Sequence, residues 1–254
     1  PAGPFITAID GHPASTRYAG NDPLIQQGAR QINNPDAADA MVKDLYGAGM
    51  LGIHLVYDDR GGAVPKLDSN VVKALIEAAE RRGMWVSAQA SEEDDLVSLA
   101  RWGVNPVFFS GAIEKPLALG PLVEQDTWLI PSTTFDQEKW ISLPYAILDS
   151  LGVQVGFGSS QHHSQFRFGE AFHQAISTQM RGGRDPLKML RAATWGAAQN
   201  LKADDRLGRI RSGFQADLLL ISGEAWKAPE SWQRPDWVMA RGNVLVRNGQ
   251  IVED

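Results

Sequence analysis

The sequence predicts an α/β protein in which about six β/α units contribute to a parallel sheet and a small all-β portion follows. Two observations predict this class. Over residues 1–204, short apolar runs alternate with helical patterns, which is typical of β/α units. Over residues 205–254, closely spaced strand-like segments separated by turn residues replace that alternation, and such a pattern is typical of antiparallel hairpins.

The apolar runs predict the strands of the parallel sheet. Most are nearly continuous in apolar residues, as expected when both faces of a parallel strand are buried. A long loop over residues 11–18 is expected after the first strand. The predicted strands cover residues 5–8, 53–57, 85–88, 106–109, 128–131 and 154–157.

The helices between these strands are predicted from caps and periodicity. Asn34 followed by Pro35 is a helix start, and this helix is expected to reach about Tyr46. Asp185 followed by Pro186 opens another. A further helix is expected over residues 91–102, where acidic residues at its start favour the positive end of the helix dipole. The clearest amphipathic pattern has the apolar spacing i, i+3, i+4 and i+7, at Val72, Leu75, Ile76 and Ala79.

The last hairpin is predicted over residues 237–252. The dipeptides Gly242-Asn243 and Asn248-Gly249 are its expected turns, because asparagine and glycine tolerate the backbone conformations that tight turns require.

Composition excludes several classes of protein. The net charge is −6, whereas nucleic acids and anionic membranes attract clustered lysine and arginine. The chain has no cysteine, which excludes disulfides, thiolate metal ligands and a cysteine nucleophile. No apolar run approaches the roughly 20 residues that span a bilayer. We expect a soluble protein with no nucleic-acid or membrane partner, in either the cytoplasm or the periplasm.

The strongest motifs occupy the last third of the chain. They are Leu190-Arg191-Ala192-Ala193-Thr194-Trp195-Gly196-Ala197-Ala198-Gln199-Asn200-Leu201, then residues 205–210, 213–218 and the closing hairpin. In this order and spacing the sequence resembles the amidohydrolase superfamily, in particular its imidazolonepropionase-like and prolidase-like branch. The resemblance implies a TIM-like (β/α)8 barrel of amidohydrolase type over residues 1–204 and a C-terminal β-sandwich portion over residues 205–254.

The resemblance also implies four metal-ligand or catalytic positions at the strand ends. The family carries a lysine, two histidines and an aspartate there, which hold one or two divalent metals. The corresponding residues of this chain are His54, Gln89, Phe109 (or its neighbour Ser110) and Ser160. A carboxamide is a weak neutral ligand and a phenyl ring cannot coordinate a metal.

Two interpretations of these substitutions stay open. In the first, metal-dependent hydrolysis is lost and the chain is a pseudoenzyme that acts as a binding or structural subunit without a cofactor. In the second, it hydrolyses C–N bonds of amides, cyclic amides or dipeptides, with zinc or another divalent metal held by His54 together with His162 or His163. His12 and Tyr57 are candidate substrate-binding residues in either case.

A further chain segment is expected to complete the barrel. A barrel of this type has eight strands, and the resemblance would begin at the family's third strand. The His-x-His pair that the family carries on its first strand does not occur in this sequence. We therefore expect a missing N-terminal portion or a second chain, and an oligomer.

Overall fold

The chain divides into two compact units, residues 1–130 and residues 131–254. A computed structural model of the protein describes residues 2–19, 23, 27–131, 143–158, 170–225 and 227–252. The first unit contains the parallel sheet around which the candidate site is built. The second contains helices and a separate small antiparallel sheet.

Six strands of the parallel sheet start in the first unit, and their order is β2-β1-β3-β4-β5-β6. Parallel pairing joins β1 to β2 and β3, and joins β4 to β3 and β5. The predicted α/β class is thereby confirmed. The strands are β1 (Ala2–Thr7), β2 (Ala29–Gln31), β3 (Gly52–Val56), β4 (Trp85–Ala90), β5 (Val107–Phe109) and β6 (Trp128–Pro131).

Strand β2 has no counterpart among the predicted strands. Its three residues, Ala29, Arg30 and Gln31, include a single apolar side chain. The strand therefore has no apolar run from which it could be predicted. The strand forms because β1 offers it an edge, with Phe5 opposite Ala29 and Thr7 opposite Gln31.

The helices of the first unit lie where the sequence predicts them, and two of the helical segments start at side-chain caps. A 3-10 turn (Pro35–Ala37) leads into α1 (Ala38–Gly47), and α2 (Ser69–Glu80) and α3 (Glu93–Arg101) follow. The Asn34 side chain accepts a hydrogen bond from the Asp36 N–H at 2.9 Å, and Asp68 accepts one from the Asn70 N–H at 2.8 Å. These side chains satisfy backbone donors that have no partner within the helix. A 3-10 turn (Pro116–Leu119) and the short helix α4 (Gly120–Glu124) complete the unit.

The core of the first unit lies between one face of the sheet and the helices. Ile53 and Leu55 of β3 are fully buried, as is Leu75 of α2. Burying one such side chain contributes about 1.5–3 kcal/mol. The apolar spacing that predicts α2 is therefore the stripe that this helix buries. Its buried residues are Val71, Val72, Leu75, Ile76, Ala78 and Ala79.

The second unit begins with helix and strand segments. Helix α5 (Tyr145–Leu151) and strand β7 (Gln154–Val155) precede α6 (Glu170–Arg181). Helix α7 (Pro186–Arg191), capped by Asp185, continues through a π-helical turn (Ala192–Gly196) into α8 (Ala197–Asn200). The buried Arg184 side chain donates hydrogen bonds to Gln179 and to the Val155 carbonyl, which ties the α6–α7 connection to β7.

The C-terminal sheet is antiparallel with the order β11-β10-β9-β8. It consists of β8 (Leu218–Leu220), β9 (Trp237–Ala240), β10 (Asn243–Arg247) and β11 (Gln250–Ile251). The second predicted turn, Asn248-Gly249, is observed. The first turn is Arg241-Gly242, one residue earlier than predicted, and both of its residues have positive φ (51° and 83°). Asn243 instead pairs with Ala240 as the first residue of β10.

Within the part of the chain that the structure describes, no helix is both long enough and apolar enough to cross a membrane.

Gly52 offers a test of the packing between β3 and β4. It lies opposite Trp85, and a Cβ atom at Gly52 would come within 2.1–2.5 Å of the indole ring. We expect Gly52→Ala to lower the free energy of unfolding by about 1–3 kcal/mol, because the indole would have to move in a packed region. Urea denaturation measures the change.

Gly47, the last residue of α1, is the matched control. A Cβ atom there meets nothing within 4 Å, so we expect Gly47→Ala to be neutral or to stabilise the protein by up to about 1 kcal/mol. Equal losses in the two variants would contradict the contact between Gly52 and Trp85.

Candidate functional site

The strand register places three polar side chains, together with three apolar ones, on one face of the sheet. Phe5 of β1 and Ser87 of β4 both lie opposite His54 of β3. One layer nearer the carboxyl ends, Gln89 lies opposite Val56 and Phe108. Side chains alternate between the two faces of a strand, so these six share one face. We call this the polar face. Leu55, Ala88 and Phe109 are on the opposite, buried face.

His54 is enclosed by neighbouring side chains on the polar face. Its Nδ1 lies 2.8 Å from the Ser87 hydroxyl. The rings of Phe5 and Phe108 approach it edge-on, with centroid distances of 5.2 and 5.4 Å. Burial lowers the pKa of His54 to about 4, because the surroundings disfavour a charged imidazolium. The ring is therefore neutral at pH 7.

The pair of His54 and Ser87 does not form a nucleophile activated by a base. Ser87 is 1% exposed, so its hydroxyl is out of reach of a substrate. It also lies 3.4 Å from the Ile53 carbonyl, which it can reach as a donor. A general base works best when its pKa is near the operating pH, and the pKa of His54 is well below it. The pair therefore holds β3 and β4 together and fixes the orientation of the ring.

The remaining family positions fall on different faces. Gln89 is partly exposed on the polar face. Phe109 is 2% exposed and lies opposite Ala90 on the buried face. Ser110 is the next residue, so the alternation of side chains places it on the polar face. Its N–H donates a hydrogen bond to the Ala90 carbonyl at 3.1 Å. Ser160, His162 and His163 lie outside the described residues.

His12 lies in the loop after β1 and is held by local contacts. Its Nδ1 is 2.6 Å from the Thr16 hydroxyl, and its carbonyl accepts a hydrogen bond from the Thr7 hydroxyl at 2.5 Å. Burial and the Arg60 charge lower the pKa of His12, while the Asp58 charge opposes them. The loop therefore brings a neutral, partly exposed imidazole within electrostatic range of the residues that follow β3.

Tyr57 supports the loop that follows β3. Its ring packs edge-on against Trp102 at 5.7 Å, and the Lys66 ammonium lies 4.9 Å from its centroid. Lys66 also pairs with Asp95 of α3 at 2.8 Å and lies 3.7 Å from Asp59. Tyr57 is 8% exposed. This arrangement joins the β3–α2 loop to the start of α3. The substrate-binding role of Tyr57 stays a prediction.

Asp58 is a residue of this site that the sequence analysis did not single out. It is 2% exposed. Its Oδ1 accepts hydrogen bonds from the Ser91 hydroxyl at 2.9 Å and from the Arg60 N–H at 2.8 Å, and its Oδ2 has no hydrogen-bond partner. The signal in the sequence was the alternation from His54 through Val56 to Asp58, which carries the polar face beyond the end of β3.

Comparison with known proteins shows which family and which solved structures the chain is similar to. Residues 138–251 match the model of the amidohydrolase family. Among solved structures, an Xaa-Pro dipeptidase with bound methionine is 22% identical, with a TM-score of 0.76 over 96% of this chain and 66% of that one. The predicted resemblance to the amidohydrolase superfamily is confirmed. No curated protein sequence matches the chain.

Other solved amidohydrolase-like structures agree. A prolidase complexed with N-methylphosphonate-L-proline is 20% identical and has a TM-score of 0.78 over 97% of this chain and 68% of its own. A putative prolidase from Bifidobacterium longum is 17% identical, with a TM-score of 0.77 over 99% and 67%. At these identities the likeness establishes the fold alone. The chain spans about two thirds of the length of these structures.

The described residues at the family's metal positions do not by themselves fit a divalent metal. They supply one imidazole, whose Nδ1 is engaged by Ser87, and one carboxamide, that of Gln89. Zinc sites use three or four nitrogen, oxygen or sulfur ligands from the protein. Among the described residues, no three histidine, aspartate or glutamate side chains come together as a metal site.

The environment of His54 predicts a pH dependence of stability. Its pKa of about 4 in the folded protein is below the value of about 6.5 for an unfolded histidine. The unfolded chain therefore binds this proton first, so the contribution of His54 is complete above about pH 6.5 and is lost as the pH falls towards 4. The loss is on the order of 3 kcal/mol.

We expect His54→Gln, which cannot titrate, to lose less stability than the wild type between pH 7 and pH 4.5. Urea denaturation at both pH values measures this difference. His12→Gln is the control and should retain most of the wild-type dependence, because Asp58 opposes the lowering of the His12 pKa. An unchanged dependence in His54→Gln would contradict a partly buried, neutral His54.

Proposed function

We propose that this amidohydrolase-like chain has lost the family's metal-dependent hydrolysis and acts as a binding or structural subunit. One observation carries the proposal. At the position where the resemblance implies a metal-binding lysine, His54 is bonded to Ser87 between two phenylalanine rings. A metal there would have to compete with these contacts for an imidazole that is already packed.

The neighbouring positions support the same proposal. Gln89 brings a neutral carboxamide where the family has a histidine. Phe109 is packed on the buried face, and Ser110, the other residue considered for the next position, brings only a hydroxyl. Hydrolysis in this family needs a metal to activate water, so a polar face of this composition is better suited to holding a ligand than to hydrolysing one.

A structural role implies a further polypeptide, either an N-terminal portion or a second chain in an oligomer. The edge strand β8 supports this part of the proposal, since Leu218, Leu219 and Leu220 are 37%, 58% and 59% exposed. Exposed apolar edge strands invite pairing with another chain. Light scattering of the purified protein gives its mass in solution.

The second candidate function is hydrolysis of C–N bonds in amides, cyclic amides or dipeptides. The match to the amidohydrolase family and the likeness to an Xaa-Pro dipeptidase favour it. It requires a remodelled metal site in which His54 acts with His162 or His163, and zinc or another divalent metal as the cofactor.

Elemental analysis by inductively coupled plasma mass spectrometry, together with the intact mass, separates the two functions. We expect no near-stoichiometric zinc, manganese or iron, even after incubation with excess zinc and desalting, because the described ligand positions are occupied by packed or neutral groups. A dipeptide hydrolysis assay on the same sample should show no activity above buffer.

Near-stoichiometric metal accompanied by hydrolysis would overturn the proposal and favour the second function. The variants His54→Gln, His162→Gln and His163→Gln would then locate the ligands, because replacing a residue that binds the metal should lower the metal content of the protein. Lys73→Gln, a neutralising change at an α2 residue whose ammonium lies 5.4 Å from the Trp102 ring, is the control.

A further inference from the structure

An indole ring of the second unit carries two arginine side chains. The guanidinium carbons of Arg191 and Arg209 lie 4.4 and 4.2 Å from the centroid of the Trp195 ring. A planar guanidinium that stacks on an aromatic ring is restricted in its movement, while the N–H groups at its edges stay available. Trp195 therefore orients two cationic groups, and both arginines are exposed.

Neither guanidinium is neutralised by the protein. The described residues give the side chains of Arg191 and Arg209 no ion pair and no hydrogen bond. Lys188 of the same helix differs, because its ammonium lies 3.1 Å from the Asp149 carbonyl and 3.7 Å from the Asp149 carboxylate. The donors of the two stacked arginines are thus free to bind an acceptor from outside the chain.

Exposed leucines accompany Arg191 on helix α7. Leu187, Leu190 and Arg191 have the i, i+3, i+4 spacing that places side chains on one face of a helix. The two leucines are 68% and 37% exposed. This face of α7 therefore presents apolar surface directly beside a cation.

The loop that carries Arg209 is packed against the end of the same helical segment. A Cβ atom at Gly208 would lie 2.8 Å from the Trp195 Cα atom, so the two backbones approach closely. Ile210, the residue after Arg209, is 91% exposed. Helix and loop together form one mixed apolar and cationic surface, which we call the Arg–Trp surface. Its residues are Leu187, Leu190, Arg191, Trp195, Arg209 and Ile210.

The charge of this part of the chain indicates which partner the surface fits. Residues 186–211 contain six basic residues and two acidic ones, Asp204 and Asp205, in a chain whose net charge is −6. A negative protein is repelled by an extended anionic membrane. A short acidic segment of another protein can contact the basic stretch alone, and complementary charge favours that encounter.

We propose that the Arg–Trp surface docks an acidic segment of a partner protein in which carboxylates alternate with leucine-like side chains. A guanidinium pairs with a carboxylate through two parallel hydrogen bonds, and tryptophan and arginine dominate the binding energy of protein interfaces. The surface belongs to the second unit, whereas the polar face belongs to the first. The inference rests on the proposed role as a binding or structural subunit and holds whether or not hydrolysis is retained.

The experiment compares two short synthetic peptides on the full chain. One is a fluorescein-labelled peptide of glutamate and leucine, and its twin has glutamine at every glutamate position. Fluorescence anisotropy gives the two dissociation constants. We expect wild-type protein to bind the glutamate peptide at least about 10-fold more tightly at low salt. Most of this preference should disappear at about 1 M salt, where charges are screened over about 3 Å.

Two double variants separate the stacked arginines from the general charge of the stretch. Arg191→Gln/Arg209→Gln and Arg206→Gln/Arg211→Gln each remove two exposed positive charges between residues 186 and 211. Only the first pair stacks on Trp195. We expect the first double variant to bind the glutamate peptide about 5- to 20-fold more weakly and the second to lose less than about 3-fold. Circular dichroism spectra establish that both are folded.

A second matched pair tests the apolar part of the surface. Ile210→Ser and Leu117→Ser each replace a highly exposed aliphatic side chain, 91% and 85% exposed, and Leu117 lies in the first unit. We expect Ile210→Ser to weaken binding of the glutamate peptide about 3- to 10-fold, because docking buries this side chain. Leu117→Ser should leave binding unchanged.

Several results would overturn the inference. They are equal binding of the two peptides by the wild type, no binding of the glutamate peptide, and equal losses in the two arginine double variants. Cosedimentation with vesicles of phosphatidylcholine and phosphatidylserine, without peptide binding, would assign the surface to a membrane instead. A lower sedimentation mass of Arg191→Gln/Arg209→Gln than of the wild type would assign it to a second copy of the chain. Metal content does not enter these outcomes, so the docking surface and the loss of hydrolysis can fail separately.

Discussion

The register between β3 and β4 is the constraint on which the candidate site depends. Pairing His54 with Ser87 sends every second side chain of both strands to the same face. A shift of one residue would exchange the two faces and would place Leu55 and Ala88, both fully buried now, among the polar groups. Burial of the apolar side chains therefore fixes the register, and the register determines which side chains lie on the polar face.

Backbone contacts made by glycine bring the strand-end loops together. A Cβ atom at Gly111 would lie 1.8 Å from the Ser91 carbonyl, so only glycine allows the loop after β5 to pass this close to the end of β4. Gly11 likewise allows a close approach between the loop after β1 and the loop after β3, because a Cβ atom there would lie 2.8 Å from the Pro65 carbonyl. The ion pair of Lys66 and Asp95 then joins the β3–α2 loop to α3. Ser91 is consequently held in place where it can orient the Asp58 carboxylate.

The sequence carried enough information to predict the elements but too little to assign the faces. Periodicity and caps predicted α2 from Val72, Leu75, Ile76 and Ala79, because its stability depends on burying that stripe. Strand β2 has three residues and depends on the edge that β1 offers, which is not a local property. On β5, the strand after the one that carries Gln89, the family's histidine position could be aligned only to within one residue. That residue is either Phe109 on the buried face or Ser110 on the polar face.

The alternation from His54 to Asp58 places Asp58 on the polar face, but the sequence does not show that its two carboxylate oxygens differ in their hydrogen bonds. His54 and Asp58 are both polar residues in a poorly hydrated setting, and the protein accommodates them differently. The imidazole remains neutral, and its Nδ1 finds a partner in Ser87. The carboxylate of Asp58 has two donors on Oδ1 and none on Oδ2. The two polar side chains at the end of β3 are thus accommodated in different ways, one by a partner on the neighbouring strand and one by two donors on a single oxygen.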